Sequence, residues 1–367
     1  MHRSARAIVW DGSEYPDSLS YRDFELATPE PGWVLFATKA AGICGTDVHL
    51  LLGDTRHLIP DRNLPAVLGR ENAGVVVEVG EGVTSVQPGD RVAVEPTHGC
   101  AEFGGSCAMC RSGRYQLCQA GLAYVGMPLT RMIPGGFGEY SVAHASRLFR
   151  IPDHVSFEEA ALLDTLAVTV HALNVGHPRV GMSAAVVGCG VVGLDQIQCL
   201  RVAGVRNIVA VAKYPFQAEL ASELGAGEVV LLDEGIDPVA EVMHMTGGWG
   251  VDQVYECVGG HTDAVAQSVA MCAYGGVVVM LGGSARPCPI DLQDMLLKEV
   301  HILSSNSYST HAGKREFEVA LDMVCDGRVD HERLVTHMFT PDAYRQAFEV
   351  AIHKGEYQAI KPMFVRP

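Results

Sequence analysis

The hexapeptide Gly188-Cys189-Gly190-Val191-Val192-Gly193 constrains this chain more than any other feature. It joins an apolar run, "MSAAVVGCG", to a run with helical spacing, "VVGLDQIQCLRVAG", and a second apolar run, "NIVAVAKY", follows. In that setting the glycines allow a tight turn out of a strand and bring backbone amides at a helix N-terminus against a pyrophosphate. Glycines at strand–helix turns are also common for structural reasons alone, so the setting carries the reading and not the hexad. The setting continues through "PFQAELASELGAG", "EVVLLD", "GVDQVYECVG" and "GGVVVMLGG". Near-continuous apolar strands alternating with helices predict a doubly wound parallel sheet, an α/β dinucleotide-binding domain expected over residues 154–302.

The end of the second strand selects the dinucleotide. An NAD site usually carries an acid there to bond the ribose hydroxyls. Here the position falls on Ala212, with Lys213 and Tyr214 after it. A small residue leaves room for a 2′-phosphate and a lysine offers charge to it, so NADP(H) is expected over NAD(H). The plainer reading of Lys213 is a solvated surface lysine.

Outside 154–302 the rhythm is different. "GWVLFATKAAGIC", "NAGVVVEVG" and "DRVAVEP" are β-branched runs closed by Gly, Pro or Asp, the pattern of an irregular β-rich domain. Residues 1–153 and 303–367 are expected to form it together. At 367 residues the chain is long enough for two domains. Its net charge of -16 argues against nucleic acid as a partner. No apolar run is long enough for a membrane span, and "MHRSARAIVWDG" lacks a signal core, so a cytoplasmic protein is expected.

In that compartment eleven cysteines read as ligands or buried thiols rather than disulfides. Four of them, Cys100, Cys107, Cys110 and Cys118, crowd into "CAEFGGSCAMCRSGRYQLC". Four thiolates on one loop suit a closed structural zinc site, against the alternative of free loop thiols.

Taken in order, "GICGTDVH", "GRENAGVVVEVGEGV", "GDRVAVEP", the cysteine loop, "GGFGEY", the glycine hexad and "AIKPMF" resemble the zinc-dependent medium-chain dehydrogenase/reductase family. The resemblance spans essentially the whole chain. It implies a GroES-like catalytic domain built from both chain ends, a Rossmann domain between them, and a cleft at their junction. It further implies an oxidoreductase interconverting an alcohol and its carbonyl by hydride transfer with a nicotinamide cofactor. By the same resemblance Cys44 is the first ligand of a catalytic zinc, Thr46 the hydroxyl that takes the substrate proton, and His49 the relay to solvent. Glu71 is the carboxylate beside the metal and Asp164 the third protein ligand. "RVAVEP" and the acid at 164 lean toward polyol, sugar or cyclitol-like substrates. A homodimer or homotetramer is implied, with "GGVVVMLGG" and "VHILSSNSY" pairing edge to edge.

Two positions depart from the family. Gly104 stands where the loop's first cysteine usually lies, so Cys100 must reach in from further back. Arg70 stands where the family has its histidine ligand, and a guanidinium has no lone pair to give. One reading keeps a catalytic zinc on Cys44, Glu71 and Asp164, with Arg70 balancing the charge: Zn²⁺ and three anions sum to -1, and the guanidinium brings the sum to zero. A second makes the protein a zinc-free reductase of the same fold, acting on an activated C=C or ketone with Arg70 in the metal position. A third is a catalytically inactive NADP-binding protein.

Overall fold

The computed structural model describes residues 3–26, 28–260, 262–283 and 286–367. The chain divides into two compact units. One comprises Met1–Asp164, Ser309–Cys325 and His331–Pro367; the other comprises Thr165–Tyr308 and Asp326–Asp330. Among the described residues no helix is long and apolar enough to cross a membrane.

The second unit is a six-stranded, wholly parallel sheet. Across the sheet its strands run Glu228–Leu231, Asn207–Ala212, Ser183–Val187, Val251–Glu256, Cys272–Met280 and His301–Ser304. Numbered along the chain this order is 3-2-1-4-5-6, the doubly wound Rossmann arrangement with its reversal beside the first strand. Val187, Val209, Val211, Val254 and Val278 are buried in one apolar cluster, which explains the valine-rich runs. The glycine hexad leaves the first strand at Val187 and enters the helix Val191–Val202.

The first unit is built on a seven-stranded sheet. Trp33–Gly42 lies at its centre, paired with Glu71–Val79, Tyr140–His144 and Lys361–Val365, all antiparallel. The register sets Gly42 opposite Glu71 on one side and Met363 on the other. A separate three-stranded sheet of Leu19–Leu26, Arg3–Trp10 and Ala66–Val67 packs its apolar face into a core containing Trp10, Phe137, Phe348 and Phe364. The C-terminal strand thus completes a sheet begun by residue 33, and this brings the two chain ends into one unit.

Candidate active site

Helix Gly45–Leu51 starts at Cys44, whose N–H donates to the Asp47 carboxylate at 2.9 Å and caps the first turn. This leaves the Cys44 thiol and the Thr46 hydroxyl on the same side, with Sγ and Oγ1 3.7 Å apart. Burial pushes the Asp47 carboxyl up to about 7, against the pull of Arg70. His49 lies one turn beyond Thr46, and its Nδ1 is 2.7 Å from Asp54 Oδ2, with both side chains exposed.

Arg70 sits between Gly69, which has a φ of 94°, and the strand beginning at Glu71. A Cβ on Gly69 would lie 2.5 Å from the Phe137 ring, so the glycine permits both the turn and the packing. Arg70 Nη2 donates to Cys44 Sγ at 3.0 Å and to Thr46 Oγ1 at 2.9 Å. Nη1 points to Met127 Sδ at 3.9 Å, and Nε stands 3.7 Å from Asp164 Oδ2. Burial alone would lower the guanidinium's pKa, but Cys44, Asp164, Asp47 and Glu71 hold it above its ordinary value. Burial pushes the Cys44 thiol up, although Arg70 pulls the other way.

Glu71 does not face this group as a free carboxylate. Lys361 Nζ donates to both of its oxygens, at 2.8 and 2.6 Å, and also to the Ile43 carbonyl at 3.3 Å. The two side chains are 2% and 0% exposed, a buried ion pair. Gly42 makes room for it: a Cβ there would sit 2.3 Å from Glu71 Oε2 and 3.3 Å from Lys361 Cδ.

The cysteine loop is a second, separate cluster in the same unit. A short turn over Cys100–Phe103 ends at Gly104 in the left-handed region, and Gly105 N–H returns to the Cys100 carbonyl at 2.8 Å. That reversal carries Cys100 into place. The ligand atoms of Cys100, Cys107, Cys110 and Cys118 all lie within 4.8 Å of one another. Cys100 and Cys110 sulfurs are 3.7 Å apart, and those of Cys107 and Cys118 3.9 Å. A tetrahedral ion with metal–sulfur bonds of about 2.3 Å spaces its sulfurs about 3.8 Å apart, so the four thiols fit zinc. The Cys110 N–H donating to Cys107 Sγ helps to draw that thiol down to about 6. Next door, Arg147 bonds both Glu95 and Glu102 and ties the loop to the sheet.

An alcohol dehydrogenase GroES-like domain matches residues 30–153, and a zinc-binding dehydrogenase domain matches 191–326. The chain is 31% identical over 355 residues to S-(hydroxymethyl)glutathione dehydrogenase of Escherichia coli, covering 91% of this chain and 93% of that one. The chain belongs to the medium-chain dehydrogenase/reductase family. It is an NAD(P)-dependent oxidoreductase of the alcohol dehydrogenase kind. Among solved structures, 2R,3R-butanediol dehydrogenase from Bacillus subtilis superposes with a TM-score of 0.84 at 30% identity, over 99% of this chain and 100% of that one. A Sinorhizobium meliloti protein described as a zinc-binding dehydrogenase and solved with NADP gives 0.85 at 29%, over 99% and 100%.

As a medium-chain dehydrogenase this chain keeps a turn fitted to a dinucleotide. Gly188 has a φ of 95°, and a Cβ on Gly193 would stand 1.8 Å from the Gly188 carbonyl oxygen. A Cβ on Gly190 would meet nothing within 4 Å, so the backbone is open at the N-terminus of helix Val191–Val202. Ala212 closes the second strand fully buried, and the Lys213 ammonium lies 5.3 Å from the centre of the Tyr214 ring.

The ligand set expected for a catalytic zinc is not assembled in the same way. Among the described residues the only group of three or more His, Cys, Asp or Glu ligand atoms gathered for a metal is the four-cysteine loop. Cys44 is bonded by one cation and Glu71 by another. An ion held by Cys44, Glu71 and Asp164 would have to displace both. Sequence reasoning missed Lys361, Asp54 and Met127. Lys361 had a signal: a lone cation in the apolar run "AIKPMFV" cannot be buried without an anion.

Proposed function

We propose that the protein is an NADP(H)-dependent oxidoreductase that interconverts a small hydroxyl-bearing molecule, of polyol, sugar or cyclitol type, with its carbonyl. The observation that carries this reading is the placing of the Thr46 hydroxyl 2.9 Å from the Arg70 guanidinium, with the His49–Asp54 pair one helical turn away. A substrate oxygen placed against Thr46 has a proton donor beside it and a route to solvent behind it. Residues three apart on a helix share a face, so His49 is on the correct side to restore the Thr46 proton. Asp54 fixes the orientation of His49. When bound, the nicotinamide supplies or accepts the hydride that separates carbonyl from alcohol. Gly188, Gly190, Val191, Val192 and Gly193 would hold its pyrophosphate.

Support for the phosphorylated cofactor comes from the end of the second strand, where Ala212 presents no carboxylate and Lys213 follows it. The similarity to butanediol dehydrogenase supports a hydroxyl-rich substrate. Cys100, Cys107, Cys110 and Cys118 would hold a structural zinc. We also place a homodimer or homotetramer contact at the edge strand His301–Ser304; the run "GGVVVMLGG", expected to share that edge, has its strand residues in Cys272–Met280, which is paired on both sides within its own sheet. Leu292, Leu296 and Leu297, on the helix that precedes His301–Ser304 in the chain, are about two-thirds exposed or more (72, 69 and 66%).

The test is a hydride-transfer assay with NADPH and NADH against a panel of diols, polyols and their ketones. We expect kcat/KM for NADP(H) at least about tenfold above NAD(H), a difference of roughly 1.4 kcal/mol. Ala212→Asp should reverse that preference, and Thr46→Val should lower kcat by about 10²-fold or more, as for loss of a positioned acid. Cofactor binding without turnover on any pair would sink the enzyme reading.

A further inference from the structure

We infer that hydride transfer in this protein is metal-free, with the Arg70 guanidinium in place of a catalytic zinc as the group that polarises the substrate oxygen. The inference rests on the oxidoreductase reading above and concerns what holds the oxygen.

The site is already occupied by charge. A metal centre needs anionic or neutral lone pairs that converge and are free. Here each of the expected ligands faces a protein cation. Arg70 Nη2 donates to Cys44 Sγ at 3.0 Å, and its Nε stands 3.7 Å from Asp164. Lys361 takes both oxygens of Glu71. Glu71 and Asp164 meet Lys361 and Arg70, so these four groups sum to zero without a metal. Zn²⁺ with an ionised Cys44 would add one positive charge to them. It also sets a guanidinium against a divalent ion.

This arrangement is built in and does not result from one side chain drifting inward. Gly42 is the residue that lets Lys361 cross to Glu71, since a Cβ there would collide with Glu71 Oε2. Gly69 sets the turn that delivers Arg70, since a Cβ there would collide with Phe137. Both cations are thus supported by packing behind them.

The guanidinium also has hydrogen-bonding capacity left to offer. Its Nε is buried and makes no hydrogen bond within geometric limits. Nη1 has only a thioether 3.9 Å away, a weak acceptor. With Nε turned toward Asp164, Nη1 is the under-used donor of a planar guanidinium whose Nη2 already reaches the Thr46 hydroxyl. A carbonyl oxygen that displaced the sulfur contacts would gain the Nη1 and Nη2 donors, and these bonds would strengthen as negative charge builds on it. Thr46, already within hydrogen-bond distance of the fork, would deliver the proton to that oxygen. The chemistry favoured is reduction. A zinc ion can drop the pKa of a bound water from 15.7 to about 7, whereas a guanidinium only donates hydrogen bonds and does little to ionise a resting alcohol. The substrate class is accordingly a ketone or aldehyde taken to its alcohol.

The deciding measurement is zinc per chain in the purified wild-type protein, before and after treatment with a chelator, alongside NADPH-dependent reduction of the ketone panel. We expect one zinc, lost only in Cys110→Ser, and reduction unchanged by chelation. Two zincs per chain would overturn the inference while leaving the oxidoreductase reading intact. So would loss of reduction on chelation with the loop zinc still bound. A wild type that reduces nothing would fail the oxidoreductase reading, and the metal count would still decide the occupancy of the site. Arg70→Gly should lower kcat by about 10²–10³-fold, the usual effect of removing an oxyanion donor. Added guanidinium ion should restore part of it and added Zn²⁺ none. Rescue by zinc instead of guanidinium would overturn the inference.

Discussion

The first unit contains two sulfur sites that look alike in sequence and differ in what surrounds them. In the loop, four cysteine sulfurs lie within 4.8 Å of one another and bond to one another and to backbone N–H groups. At Cys44, a single sulfur accepts a hydrogen bond from a guanidinium, and the neighbouring carboxylate is held by a lysine. Clustered thiolates repel and lower their energy by sharing an ion. A thiol and carboxylates already paired with protein cations have no such need. What makes a metal site is thus the uncompensated charge of its ligands, more than the presence of ligand residue types.

The comparison breaks most sharply at the loop. Cys110→Ser removes one of four ligands, and structural zinc in closed thiolate sites is worth roughly 10–16 kcal/mol of apparent binding energy. We expect that variant to release one zinc per chain and to show faster proteolysis between 100 and 118, with cofactor affinity little changed. Metal analysis and limited digestion check it; unchanged zinc content would mean the loop thiols are not the ligands.

A second break lies at the buried pair. Lys361→Met strands Glu71 at 0% exposure and should cost roughly 3–5 kcal/mol in chemical denaturation. The double change Lys361→Met with Glu71→Leu should recover most of it. A Lys361→Met protein as stable as the wild type would mean that Glu71 finds another cation, a metal included, and would weaken the contrast drawn above.

The smallest effect sharpens the loop side. His98 is buried against the Trp33 ring, bonded to the Pro96 carbonyl through Nδ1, and accepts the His144 N–H at Nε2. Burial, with Arg147 nearby, holds it down to about 3 from its usual 6.5. As pH falls below 6.5 the unfolded chain takes a proton that the folded chain refuses, so stability present above 6.5 is lost on the way to 3. At pH 5 the loss is about 2 kcal/mol from this group. Comparing melting temperatures at pH 7 and pH 5 tests it, and His98→Gln should flatten the slope.

Much of this protein is readable along the chain. A six-stranded parallel sheet follows from valine-rich runs alternating with helical ones, because a strand covered on both faces must be apolar throughout. The nucleotide turn follows from three glycines, since only a missing Cβ permits a φ of 95° at Gly188 and the close pass of Gly193. The four loop thiols follow from their crowding, although Gly104 hid the turn that brings Cys100 round.

The chain by itself also named Cys44, Thr46, His49, Arg70, Glu71 and Asp164, but it left out Asp54, Met127 and Lys361, and the last of these changes the chemistry of the site. Lys361 lies 290 residues from Glu71 in sequence, and only the pairing of the last strand with Trp33–Gly42 brings the two together. Local spacing can place a thiol, a hydroxyl and an imidazole on one helix turn, because those contacts are made within a few residues. Whether a buried carboxylate is free to take a metal depends on the charges that the whole sheet delivers to it, and that only the tertiary structure decided.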